Sequence, residues 1–192
     1  MMNWAPLLPS TVGGLIGGGF AILATFATYW HNSNLLKKQK RSRVNGILRA
    51  IKYEFELLGQ EFQKKAGDLL DKLEDGKPYN VYFLLTQDYF IIYPRNTEVV
   101  GQIDDAQLCK AIVVTYNKAN LFIEALRVNN WHLEKLSEFQ KMNVGILQGD
   151  IERLRQTLIA AAPQLKEAHR DLKHQTEGLF VKIDNYLSKH PS

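Results

Sequence analysis

One stretch limits what the rest of the chain can be: TVGGLIGGGFAILATFATYW, residues 11–30, has no charged side chain, and five of its twenty residues are glycine. The charge-free region is longer still, because no Lys, Arg, Asp or Glu occurs from Met1 to Leu36. As a helix, residues 12–30 would extend about 28 Å at 1.5 Å per residue, close to the hydrocarbon thickness of a bilayer. The reading is a transmembrane helix over about residues 11–31. A cleaved signal peptide would carry positive charge before the apolar run and a small-x-small site after it. Here the charge follows, and the run ends in Tyr29, Trp30 and His31, so an uncleaved anchor is expected.

The next sixteen residues, KKQKRSRVNGILRAIK, carry Lys37, Lys38, Lys40, Arg41, Arg43, Arg49 and Lys52 and no acid, a local charge of +7. Basic residues beside a membrane helix are retained on the cytoplasmic side. The expected topology is therefore N-terminus out, with residues 37–192 as one cytoplasmic domain behind a basic collar over 37–52. The collar also accounts for the net charge of +4: without it, 17 basic residues face 20 acidic ones, a balance of −3. A DNA-binding surface loses its electrostatic footing, and RNA as a partner has no support from charge. The lone Cys109 allows no internal disulfide, which fits a reducing compartment.

Within the apolar run, Gly14, Gly18, Ala21, Thr25 and Thr28 recur at steps of 4, 3, 4 and 3, which puts them on one small, weakly polar face of a helix. Small residues let membrane helices approach closely, and Gly13 with Gly17 and Gly14 with Gly18 are GxxxG pairs. The competing reading is composition alone, since glycine and alanine are common in membrane helices. Self-association into a ring, with this face packed or lining a channel, is the expectation.

Behind the collar the apolar pattern is helical. Val44, Leu48, Ile51, Phe55, Leu58, Phe62, Leu69 and Leu73 form one seam on a helix of roughly 35 residues that ends at DGKPYN, residues 75–80. Residues 81–105 read as irregular with a short helical piece. Asp104 or Asp105 caps the next helix, with Gln107 as capping-box partner of Asp104 and Leu108, Ile112, Thr115, Ala119, Phe122 and Leu126 facing inward. A separate helix is expected through Leu133, Leu136 and Met142, loosened near Gly145 and Gly149. Another runs from Asp150 to Pro163, which either kinks it or starts the last helix, and the C-terminal part carries Leu165, Ala168, Leu172, Leu179, Ile183 and Tyr186. The fold class is all-α: one transmembrane helix followed by an antiparallel bundle of four or five cytoplasmic helices.

Chemical motifs are scarce. Phosphate-binding glycine loops, zinc spacings and nucleophile elbows are missing, so no metal or nucleotide cofactor is expected. HRDLKH, residues 169–174, matches the first letters of a kinase catalytic loop without its accompanying motifs, a chance match. Arg127 and His132 in RVNNWH fit the R-x4-H spacing of HEPN-type ribonucleases, in which an imidazole moves a proton and a guanidinium holds a phosphate oxygen. Chance alone supplies about 0.6 such matches in a chain of this composition, and on an unbroken helix the two side chains stand about 140° apart. They meet only if Asn129 and Asn130 break the helix.

The layout of one N-terminal membrane helix, a basic collar, an all-helical cytoplasmic domain and a lone R-x4-H resembles the small membrane accessory proteins of type VI-B, RNA-targeting CRISPR systems. The resemblance implies a homo-oligomeric pore that strengthens antiviral defence by perturbing the inner membrane, with an RNA-guided nuclease as possible partner. Its only motif to carry over falls on Arg127 and His132. A second similarity lies in YPRNTEVVGQI, where Tyr93, Asn96, Gly101 and Ile103 fit a Y-x2-N-x4-G-x-I/L segment of uncharacterised single-pass bacterial proteins. A membrane-tethered HEPN-like ribonuclease and a non-enzymatic scaffold recruiting a protein partner are the alternatives to the pore.

Overall fold

The computed structural model describes residues 8–85, 89–142 and 148–191, with the side chains of 8–24, 26 and 27 outside that description. No strand occurs among the described residues, and the fold is all-α. Helix α1 spans Leu8–Phe62 and passes through a π-turn, Gln63–Gly67, into α2, Asp68–Asp71. Two short helices follow, α3 at Ile92–Arg95 and α4 at Thr97–Val100, before the long α5, Ala106–Met142, and α6, Gln148–Lys189. The chain divides into two compact units, one up to Arg43 and one from Val44 to Pro191.

In the first unit the backbone is helical from Leu8 onward. Among the described residues no helix is long and apolar enough to cross a membrane. The expected span over 11–31 falls largely on residues whose side chains lie outside the description, Gly14, Gly18 and Ala21 among them. Thr25 and Thr28 are exposed, as are Lys37, Lys38, Lys40, Arg41 and Arg43.

The second unit is organised by three long helical stretches. Contacts pair α1 and α2 with α6 in opposite directions: Asn45 Nδ2 donates to the His190 carbonyl (2.7 Å), Lys52 pairs with Asp184 (2.8 Å), and Lys166 Nζ donates to the Leu73 carbonyl (2.9 Å). Helices α5 and α6 are also antiparallel, joined by Lys118 and Asp171 at 2.8 Å and by Tyr186 Oη donating to Asp104 at 3.0 Å. Helices α1 and α5 therefore run the same way. That departs from the expected antiparallel bundle of four or five helices, and the reason is the connection: residues 72–105 travel back along the bundle before α5 begins.

Side chains of the long helices hold that returning segment. Glu54 accepts the backbone N–H groups of Ile91 (2.7 Å) and Ile92 (3.1 Å) on one oxygen and the Tyr116 hydroxyl on the other (2.5 Å). Burial, reinforced by the Glu54 carboxylate, pushes the Tyr116 phenol far up, so it remains a donor. Asn129 and Asn130, which would have to break the helix for Arg127 and His132 to meet, sit inside an unbroken α5 and are buried. Asn129 donates to the Val81 carbonyl (3.4 Å), and Asn130 accepts from the Phe83 amide (3.2 Å) and donates to the Phe83 carbonyl (2.6 Å), so both satisfy loop backbone rather than interrupt their own helix.

Several boundaries differ from those expected. Of the two expected caps, Asp105 is the one that caps α5, accepting the amides of Gln107 (2.9 Å) and Leu108 (3.0 Å), so Gln107 lies too early to act as a capping-box partner. Leu133, Leu136 and Met142 continue α5 instead of forming a new helix, while Gly145 and Leu147 lie outside the described residues. Helix α6 passes through Pro163, which lies on its exposed side.

The seam of α1 holds through Phe62 and then shifts. Leu69, assigned to it, is 57% exposed, whereas Leu70 is fully buried. The cause is the π-turn, where the Asp68 amide reaches back five residues to the Gln63 carbonyl. One extra residue in the turn rotates everything after it by about 100°. Two features sustain this turn. Gly67 leaves room for the Gln63 side chain, which an added Cβ would meet at 2.8 Å, and the buried Tyr79 hydroxyl donates to the Ala66 carbonyl at 2.9 Å.

Candidate functional site

Arg127 and His132 do not converge. They project from one uninterrupted helix, five residues and about 140° apart. The Arg127 guanidinium is held by Glu124 at 2.5 Å, one turn earlier on its own helix. His132 Nδ1 lies 2.9 Å from the Val128 carbonyl, and its ring meets Trp131 edge-on at 4.9 Å. Among the described residues nothing joins the pair, and neither polar end converges on a common point.

A different region has the geometry of a binding site. Between α1, α5 and α6 lies a cavity of about 340 Å³, at the small end of the range for small-molecule pockets. Its walls are aromatic: Phe55, Phe62, Phe83, Tyr89, Phe90, Phe122 and Phe180 all line it. The rings brace one another, with Phe62 edge-on to Phe122 at 5.1 Å and to Phe83 at 5.2 Å. Phe90 adopts φ +58°, unusual for a bulky residue, and thereby packs at 4.7 Å on Phe55.

One polar ring stands in this wall. His169 is 6% exposed and is stacked against Phe122 (5.5 Å) and tilted against Phe62 (5.1 Å). Its Nδ1 lies 3.2 Å from Asp71 Oδ1; a carboxylate only accepts, so Nδ1 carries the proton and Nε2 is left as an acceptor. Desolvation lowers the His169 pKa below its ordinary value, outweighing the opposing pull of Asp71, and Lys173 adds to the lowering. Burial alone would raise the Asp71 carboxyl, but the Gln63 amide, His169 and Lys173 together bring it below the usual range. Gln63 reaches Asp71 at 3.0 Å and Asp68 at 2.7 Å. The π-turn thus positions the carboxylate that orients the histidine.

No family model, curated protein or solved structure matches the chain.

The segment containing Tyr93, Asn96, Gly101 and Ile103 has a structural part to play. The Asn96 side chain donates to the Ile92 carbonyl (2.8 Å), its own carbonyl accepts from Val99 and Val100, and the Tyr93 ring packs on Tyr116 at 5.1 Å. These residues fold α3 and α4 into a plug on the core cluster that includes Val99, Val100 and Ile103. The aromatic cavity escaped the sequence reading because its walls come from segments far apart in the chain. A partial signal existed at Leu165, His169 and Leu172, a histidine at core spacing on an apolar seam. Ala168, assigned inward, is only half-buried beside it.

Proposed function

We propose that this chain is a membrane-anchored protein whose N-terminal helix self-associates in a bacterial inner membrane and perturbs it, with residues 37–192 on the cytoplasmic side. The observation that carries the reading is the order of exposed side chains along α1. Tyr29, Trp30, Leu35 and Leu36 are large apolar groups that are 44–74% exposed. They are followed at once by the exposed Lys37, Lys38, Lys40, Arg41 and Arg43. Aromatic rings favour the headgroup level, and each basic residue near an anionic leaflet contributes about 1 kcal/mol. The uncharged run before them has the length to span, and Gly14, Gly18, Ala21, Thr25 and Thr28 supply a face for helix contact.

The cellular setting suggested by the layout is RNA-targeting CRISPR defence, in which such a protein acts beside an RNA-guided nuclease. A tethered ribonuclease has weaker support, because Arg127 is engaged by Glu124 and turned away from His132. Replacing Gly14 and Gly18 together by leucine is expected to abolish oligomers of the detergent-solubilised protein and any membrane depolarisation on expression. Unchanged oligomer mass in that variant would remove the reading.

A further inference from the structure

We propose that the aromatic cavity between α1, α5 and α6 binds a protonated organic amine with an apolar, aromatic-sized body. Shape sets the first condition. A cavity of about 340 Å³ walled by seven aromatic rings rewards a flat apolar group by burial.

Charge selects among such groups. The faces of aromatic rings are electronegative and attract cations, and the protein already uses one this way: Lys52 Nζ lies 5.6 Å from the centroid of Phe180, itself a cavity wall. Glu56, Glu61 and Glu177 also line the cavity, against Lys173 as the one basic residue among its described lining residues. Glu61 is engaged by Lys65 at 2.5 Å, and Glu56 feels the charge of Lys52, which is itself neutralised by Asp184 at 2.8 Å, so the carboxylates lining the cavity still outnumber Lys173. An acyl carboxylate or phosphate would meet repulsion there, whereas an ammonium would be drawn in.

Hydrogen bonding narrows the class further. With Nδ1 committed to Asp71, His169 Nε2 offers a lone pair, and no described residue donates to it. A ligand that covers Nε2 without offering it a hydrogen would strand that acceptor at a cost, so the fitting ligand carries an N–H. That points to a primary or secondary ammonium and away from a quaternary one. The inference stands apart from membrane anchoring, since each of these residues lies in the unit from Val44 to Pro191.

The test is isothermal titration of the full chain in lipid nanodiscs, with empty nanodiscs subtracted, against three probes of one shape: 2-phenylethylamine at neutral pH, 2-phenylethanol and 3-phenylpropanoate. The amine should bind at least tenfold more tightly than either analogue. Glu177→Gln, an exposed substitution that leaves the core intact, should weaken the amine several-fold and leave the alcohol unchanged. Ile123→Trp, which fills the cavity, should remove binding of all three. Equal affinities for the three probes, a preference for the carboxylate, or no amine binding by protein with full helical circular dichroism would each overturn the proposal.

Discussion

His169 is held among phenyl rings with a carboxylate on one nitrogen, and that setting fixes how the fold responds to acid. Its proton affinity is lowered in the folded state, so the unfolded chain binds the proton more readily. Stability is therefore intact above the ordinary histidine value of 6.5 and declines as pH falls below it. Asp71, whose folded pKa is also lowered, adds loss in the same direction but at more acid pH. Urea midpoints of the full chain in detergent should fall between pH 7.5 and pH 5, and His169→Phe should flatten most of that fall; an unchanged slope would contradict this assignment. The apolar spacing marks Leu165 and Leu172 on either side of His169, but nothing local marks His169 itself as a buried polar residue with a partner. Asp71 comes from another helix 98 residues away, and no local pattern encodes that meeting. Arg127 and His132 illustrate the converse, since a motif's spacing was legible and its convergence was not.

At the level of elements, the long apolar seams were readable because burial repeats every three or four residues. Leu108, Ile112, Thr115, Ala119, Phe122 and Leu126 are all buried as their spacing implies. The π-turn was hidden, because Gln63–Gly67 carries no residue pattern that announces a fifth residue in a turn. Its consequence can be measured. Leu70→Ala should cost about 2–5 kcal/mol as a core truncation, whereas Leu69→Ala should cost under about 0.5 kcal/mol. Equal costs in chemical denaturation would mean that the seam runs through the π-turn without a shift. Helix ends were misjudged for a related reason. Asparagines and proline are weak-to-poor helix formers, and tertiary contacts override them: loop backbone engages Asn130, and Pro163 lies on an exposed face of α6.

The whole molecule divides at a point that sequence marks only by a change in composition, from the basic collar to the first core residue, Val44. Both apolar clusters of the core draw their buried members from Val44 onward. A chain lacking residues 1–36 is therefore expected to keep the per-residue helicity of residues 44–191 and a single cooperative thermal transition. Loss of that transition would show that the N-terminal helix contributes to the fold beyond it. The parallel course of α1 and α5 was not legible, because it depends on where a connection of 34 residues, 72–105, is anchored by Glu54, Asn129 and Asn130. The hydrogen bond from Asn45 to the His190 carbonyl has a topological meaning as well. It places the doorway by which the chain enters the bundle beside the one by which it leaves, so a fusion joined after α6 would emerge where the bundle begins. The turn beyond Asp71, at the other pole, is left clear of both.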